Sequence, residues 1–174
     1  MRHGLTVFVF ATLAAASVQA HVTLETAKAP AGSYYKAVFR VGHGCEGSPT
    51  RQLIVDIPPG VQGAKPMAKP GWRIEIDRAA LAEPTTSHGR AVTEEVSQIR
   101  FTGGSLPDAH YDEFAISVKL PDDAGPLYWK VSQVCEQGRI DWVETPQPGQ
   151  SLHDLKTPAP LLDVVQAEHA GHVH

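Results

Sequence analysis

Apolar and polar residues alternate with period two over short stretches of this chain, and proline, glycine and aspartate cut the stretches apart. In Glu113–Leu120, Phe114, Ile116, Val118 and Leu120 point one way while Ser117 and Lys119 point the other, the pattern of a sheet with one wet face. The same reading predicts strands at Val22–Thr26, Tyr34–Val41, Gln52–Ile57, Arg73–Asp77, Val96–Thr102, Leu127–Cys135 and Ile140–Thr145. Between them lie turn residues such as Pro58-Pro59-Gly60, Pro70-Gly71, Gly103-Gly104, Pro121-Asp122-Asp123 and Glu136-Gln137-Gly138. Seven or eight short strands at this spacing predict an all-β immunoglobulin- or fibronectin-like β-sandwich. The only helix-compatible piece is Arg78–Glu83, one or two turns long.

One segment lies outside this pattern. Residues 1–20 run from Arg2 and His3 through an apolar stretch, Leu5 to Ala16, to Val18-Gln19-Ala20, a cleavable signal peptide with small residues at −3 and −1. Cleavage there makes His21 the first residue of a mature chain of 154 residues. The other site, after Ala14-Ala15-Ala16, would leave His21 inside a frayed arm. A free α-amino group and the Nδ1 of the same imidazole close a six-membered chelate, a nitrogen pair suited to Cu(II) in tetragonal geometry. The apolar run is too short to span a bilayer, and neither a lipid-accepting cysteine nor an apolar C-terminal tail follows it. The expectation is release to the periplasm without a membrane anchor.

Composition narrows the classes further. The chain has 15 Lys+Arg against 19 Asp+Glu, and loss of Arg2 with the leader takes its net charge from −4 to −5. That mild acidity, without a basic cluster, argues against nucleic acid as a partner. The two cysteines, Cys45 and Cys135, are an even count for an oxidising compartment and predict a structural disulfide, with a cysteine-based copper site as the alternative. No phosphate loop, dinucleotide fingerprint, CxxC or nucleophile triad is present. Met67 is the only methionine besides Met1, which excludes a methionine-rich Cu(I) site.

Bridging Cys45 to Cys135 fixes Glu46 against the hairpin turn Glu136-Gln137-Gly138, and Trp142 follows on the returning strand. If the N-terminal strand pairs alongside, His21, Glu46 and Trp142 meet at one end of the sandwich. Against that stand two simpler readings, Trp142 as a core tryptophan and Glu46 as a solvated loop acid. His43 is a candidate for an outer role beside the disulfide loop, and His110 for a second brace histidine, though a lone histidine in such a loop is usually solvated. His88 and His153 read as surface residues. After Thr145 the chain turns rich in proline, glutamine, serine and alanine, so the folded domain is expected to span 21–155, with 156–174 a flexible tail. The tail ends in His169, His172 and His174, an accessory site for a divalent metal or a terminus without function.

A set of motifs taken together resembles the YcnI-like family of extracytoplasmic copper-binding domains. They are His21-Val22-Thr23-Leu24, Gly32-Ser33-Tyr34-Tyr35-Lys36, His43-Gly44-Cys45-Glu46-Gly47-Ser48, Lys65-Pro66-Met67, Lys69-Pro70-Gly71-Trp72, Gly103-Gly104-Ser105-Leu106-Pro107-Asp108, Tyr111-Asp112-Glu113-Phe114, and Cys135-Glu136-Gln137-Gly138 with Trp142. The resemblance implies an immunoglobulin-like sandwich that binds Cu(II) through a brace made by one histidine. It places the family's N-terminal histidine on His21, its glutamate on Glu46 and its tryptophan on Trp142.

The function expected on this basis is non-enzymatic, a periplasmic Cu(II) carrier, chaperone or buffer in copper homeostasis. Its partner would be a membrane copper transporter or an oxidase-assembly factor. The alternatives are a brace-type copper oxidase or monooxygenase and a metal-free interaction module.

Overall fold

In Tyr34–Val41 the side chains of Tyr35, Ala37, Phe39 and Val41 are buried while Tyr34, Lys36 and Arg40 face water, and Val38 on that outer face is buried as well. The computed structural model describes residues 21–87 and 89–167, so the leader, His88 and the tail histidines His169, His172 and His174 lie outside the described residues. Among the described residues there are twelve strands rather than seven or eight. They are β1 (Thr23–Leu24), β2 (Lys28–Pro30), β3 (Tyr34–Val41), β4 (Thr50–Asp56), β5 (Gln62–Pro66), β6 (Arg73–Ser87), β7 (Arg90–Leu106), β8 (Asp112–Lys119), β9 (Gly125–Tyr128), β10 (Val131–Cys135), β11 (Arg139–Trp142) and β12 (Leu161–Val165). Among the described residues no helix is long and apolar enough to cross a membrane.

The strands form a sheet in the order β1-β3-β8-β5, a second in the order β11-β10-β4-β7-β6, and a small third in the order β2-β12-β9. The first two share one apolar core. Phe39, Phe114 and Ile116 from one sheet pack with Leu53, Val55, Ile99, Phe101 and Val131 from the other. Phe101 meets Phe114 edge-on at 5.1 Å between ring centroids, a favoured aromatic geometry.

Three expectations are corrected. The run Leu127–Cys135 is two strands, because the Trp129 amide donates to Pro160 O while Lys130 O accepts from the Asp56 amide. The chain thus changes sheets within two residues, β9 pairing with β12 and β10 with β4. Arg78–Glu83 is no helix but lies within β6, with Arg78, Ala79 and Ala80 opposite Val96, Glu95 and Glu94 of β7. Its alanine, leucine and glutamate favour a helix only weakly, and extension of the β6–β7 hairpin decides the conformation. The fold also continues past residue 155. Leu161–Val165 is β12, parallel to β2 and antiparallel to β9, and its Leu162 and Val164 are buried. The prolines before it mark an irregular connection rather than the end of the domain.

Candidate metal centre

β10 and β11 form an antiparallel hairpin that places Val131 opposite Trp142. On β10 the inward positions are Val131, Gln133 and Cys135, so a glutamine is fully buried where an apolar residue is the rule. A buried amide must find partners. Gln133 Nε2 donates to His43 O at 2.6 Å and to Thr50 Oγ1 at 2.7 Å, and Gln133 Oε1 accepts from Trp142 Nε1 at 3.1 Å. One side chain therefore holds both the Trp142 indole and the backbone at His43. The strand alternation carried the signal for Gln133, but the sequence reading did not single it out.

The Cys45–Cys135 disulfide is formed and ties the β3–β4 connection to the end of β10. Within that connection Cys45 and Ser48 exchange backbone hydrogen bonds of 3.0 Å and 2.9 Å, closing a two-residue turn. Its central residues, Glu46 and Gly47, have φ of 51° and 86°, the left-handed pair that such a turn demands and that Asn-Gly fills best. Glu46 is the only non-glycine residue with positive φ among the described residues, at a cost of about 1 kcal/mol or more. Gly44 is required for packing, since a Cβ there would lie 1.9 Å from Ser48 O. The Gly44 amide donates to Asp108 Oδ1 at 2.8 Å, and the Gln137 amide to Ser48 Oγ at 2.8 Å. The loop that presents Glu46 is held from three sides.

β1 brings in the N-terminal histidine. It runs antiparallel to β3 with Thr23 opposite Arg40 and Leu24 opposite Phe39, and the same register carries His21 to the level of Gly42, next to His43. Both imidazoles rest on the buried Trp142. The His21 ring centroid is 5.5 Å from that of Trp142, tilted by 59°, and the His43 ring is 6.2 Å away at 73°. His21 lines an apolar cavity of about 550 Å³ together with Val22, Leu24, Leu152, His153 and Pro158. His43 and Glu46 line a more polar groove of about 710 Å³ with Cys45, Ser48, Arg139 and Asp141. The indole touches a histidine of each. Beside the groove, burial would raise the Asp141 pKa, but hydrogen bonds from Ser132 and Arg139 outweigh it and hold the carboxyl below its ordinary value. Glu144 is likewise held low, first by the Thr157 backbone amide, which closes the chain back behind β11.

The structure thus brings His21 and Trp142 together and places Glu46 on a groove shared with His43. His110 is an exposed residue of the loop before β8, and Met67 is exposed. His153, read as a surface residue, is exposed and also lines the His21 cavity. Among the described residues no three His, Cys, Asp or Glu side chains converge on one point. Two features nevertheless suit a metal: a carboxylate presented on a strained turn, and His43 Nε2, which is buried without any hydrogen-bond partner among the described residues.

A family model described as a domain of unknown function, DUF1775, matches residues 21–164. The chain belongs to this family. The DUF1775 match starts at His21 and ends within β12, in keeping with a domain that includes the last strand. The chain is also similar to the copper-binding protein CutI of Bacillus subtilis (strain 168), at 22% identity over 160 residues, which cover 91% of this chain and 69% of that protein. With the DUF1775 match, this bears out the YcnI-like membership that the motifs indicated. A crystal structure of an uncharacterized Nocardia farcinica protein, described as revealing an immunoglobulin-like fold, superimposes with a TM-score of 0.64. It is 23% identical and covers 84% of this chain and 99% of that one. The all-β, immunoglobulin-like architecture expected from the chain is the architecture found.

Proposed function

We propose that this DUF1775 domain binds copper and serves as a periplasmic Cu(II) carrier, chaperone or buffer. Distant similarity to a copper-binding protein supports the copper-related role. The observation that carries the site assignment is the meeting of His21 with the buried, hydrogen-bonded indole of Trp142. In the chain described here residue 20 precedes His21, so the His21 nitrogen is an amide. Cleavage at Ala20 converts it to an amine and supplies a donor that no side chain of the cluster provides.

In this reading the His21 amine and Nδ1 form a single-histidine brace, Glu46 adds a carboxylate oxygen, and Trp142 packs against the imidazole and limits access of water. Two nitrogens and one oxygen suit Cu(II) in tetragonal geometry. Both nitrogens must be free of protons to bind, so uptake releases protons and weakens on acidification. Transfer then proceeds by ligand exchange to a membrane copper transporter or an oxidase-assembly factor, with no bond in a substrate made or broken. Outside the described residues, His169, His172 and His174 form an accessory metal-gathering segment.

Glu46 provides the test, because binding and stability pull its identity in opposite directions. Replacement by asparagine, which tolerates left-handed backbone, is expected to raise unfolding stability by about 0.5–1 kcal/mol. The same change is expected to lower Cu(II) affinity at least about tenfold in a competition titration against a chelator of known affinity. Unchanged affinity in Glu46→Asn would remove Glu46 from the site, and a metal-free wild-type protein in the same titration would end the copper reading.

A further inference from the structure

We propose that two copies of this chain pair through the free edge of β6, antiparallel about a twofold axis at Ile74; this goes beyond the copper reading and does not depend on it. β6 ends the sheet β11-β10-β4-β7-β6, and β7 pairs with only one of its sides. Among the described residues the backbone of Arg73, Ile74, Glu75, Ile76 and Asp77 bonds to no element but β7. Such an edge is a template for another strand, which proteins ordinarily block with proline, lysine or a bulge. All three are absent from these five residues. The first bulge follows Asp77, and Pro70 stands on the other side, so the open stretch is bounded at both ends.

The side chains along this edge point to a second copy as the occupant. Over residues 72–77, Trp72, Ile74 and Ile76 alternate with Arg73, Glu75 and Asp77, so one row is apolar and the other charged. Ile76 is 46% exposed, while Trp72 and Ile74 line a groove of about 460 Å³ with Ala68, Lys69 and Pro70. A twofold at Ile74 sets Ile74 against itself and brings Ile76 of each copy to Trp72 of the other, at that groove. The charged row fits the same register. Arg100 pairs with both Glu75 and Asp77, one cation for two carboxylates, whereas Arg73 is exposed and has no ion pair among the described residues. At this register Arg73 of each copy faces Glu75 of the other. A twofold at Glu75 would set the two Glu75 side chains face to face, and one at Ile76 would set Glu75 against Asp77 twice; like charges directly opposite are destabilising. The pairing joins two five-stranded sheets into one of ten strands. β11, which carries Trp142, is at the far end of each sheet, so the joint lies away from both candidate metal centres.

The experiment is sedimentation velocity on mature protein beginning at His21, in EDTA so that no metal bridges histidines of two copies. A dimer whose population rises with concentration is expected. Arg73→Glu and Glu75→Arg are each expected to raise its dissociation constant at least about tenfold, because each sets two like-charged pairs across the joint. Mixed together, the two variants are expected to dimerise with each other, since every charge at the joint then meets its opposite. The double variant, Arg73→Glu with Glu75→Arg, is expected to recover self-association for the same reason. Thermal unfolding checks that each variant keeps its fold. A monomer at every concentration overturns the proposal, as does a dimer that Arg73→Glu leaves intact or one that the mixture of variants fails to restore.

Discussion

Replacing both Cys45 and Cys135 by serine is expected to cost about 4–5 kcal/mol of stability, lowering the melting temperature by roughly 10–20 °C. The bridge spans a sequence separation of 90 residues, so its removal returns a large loop-closure entropy to the unfolded chain. The effect is not spread evenly over the molecule. Cys45 opens the turn that forces Glu46 into the left-handed region, and the Gly138 backbone lies close enough that an added Cβ would sit 3.5 Å from Cys45 Cβ. With the bridge gone, that strain favours opening of the turn. Hydrogen exchange of the Cys45 and Ser48 amides is therefore expected to accelerate more than that of β3 or β8. A loss below about 1 kcal/mol would mean that the Asp108, Gln133 and Ser48 hydrogen bonds hold the loop without the crosslink.

Truncation of Trp142 to alanine is expected to be of similar size, about 3–5 kcal/mol from lost burial and the cavity left behind. The indole is fully buried and its Nε1 is the donor to Gln133 Oε1. Phenylalanine separates the two contributions. It keeps most of the buried ring and strands only the glutamine acceptor, so Trp142→Phe should cost about 1–2 kcal/mol. Chemical denaturation of both variants reads the difference. In the copper reading, Trp142→Phe retains the metal with altered EPR parameters, whereas Trp142→Ala frees both His21 and His43 and weakens binding further. Equal stability losses in the two variants would show that the Gln133 bond, not ring volume, fixes Trp142.

How far the chain could be read in advance differed from element to element. Tyr34–Val41 and the strand over 112–119 followed from their largely alternating pattern, because one face of each is in the core and most of the other is in water, with the paired Val38 and Ala115 buried on that outer face. The disulfide followed from two cysteines and a leader. Strands β2 and β5 did not, since Lys28-Ala29-Pro30 and Gln62-Gly63-Ala64-Lys65-Pro66 lack β-branched and aromatic residues and are strands only because β12 and β8 pair with them. β12 was hidden behind four prolines. In the site, His21 followed from the cleavage pattern after Ala20, Glu46 and Trp142 from their places beside the cysteines and the hairpin turn with the likeness to a family added, while the amide of Gln133 and the lone pair of His43 were visible only once the strands were placed. Local pattern reports which face a residue occupies; it does not report which buried polar atoms remain unpaired.

In the proposed copper site a free amine at His21 is a ligand, and one comparison tests this directly. Mature protein beginning at His21 and the same protein with a single alanine ahead of it are each given one equivalent of Cu(II) and examined by continuous-wave EPR. A tetragonal nitrogen-oxygen spectrum is expected in the first and its loss in the second, since an amide in place of the amine breaks the chelate. Identical spectra from the two proteins would contradict it and place the copper away from His21.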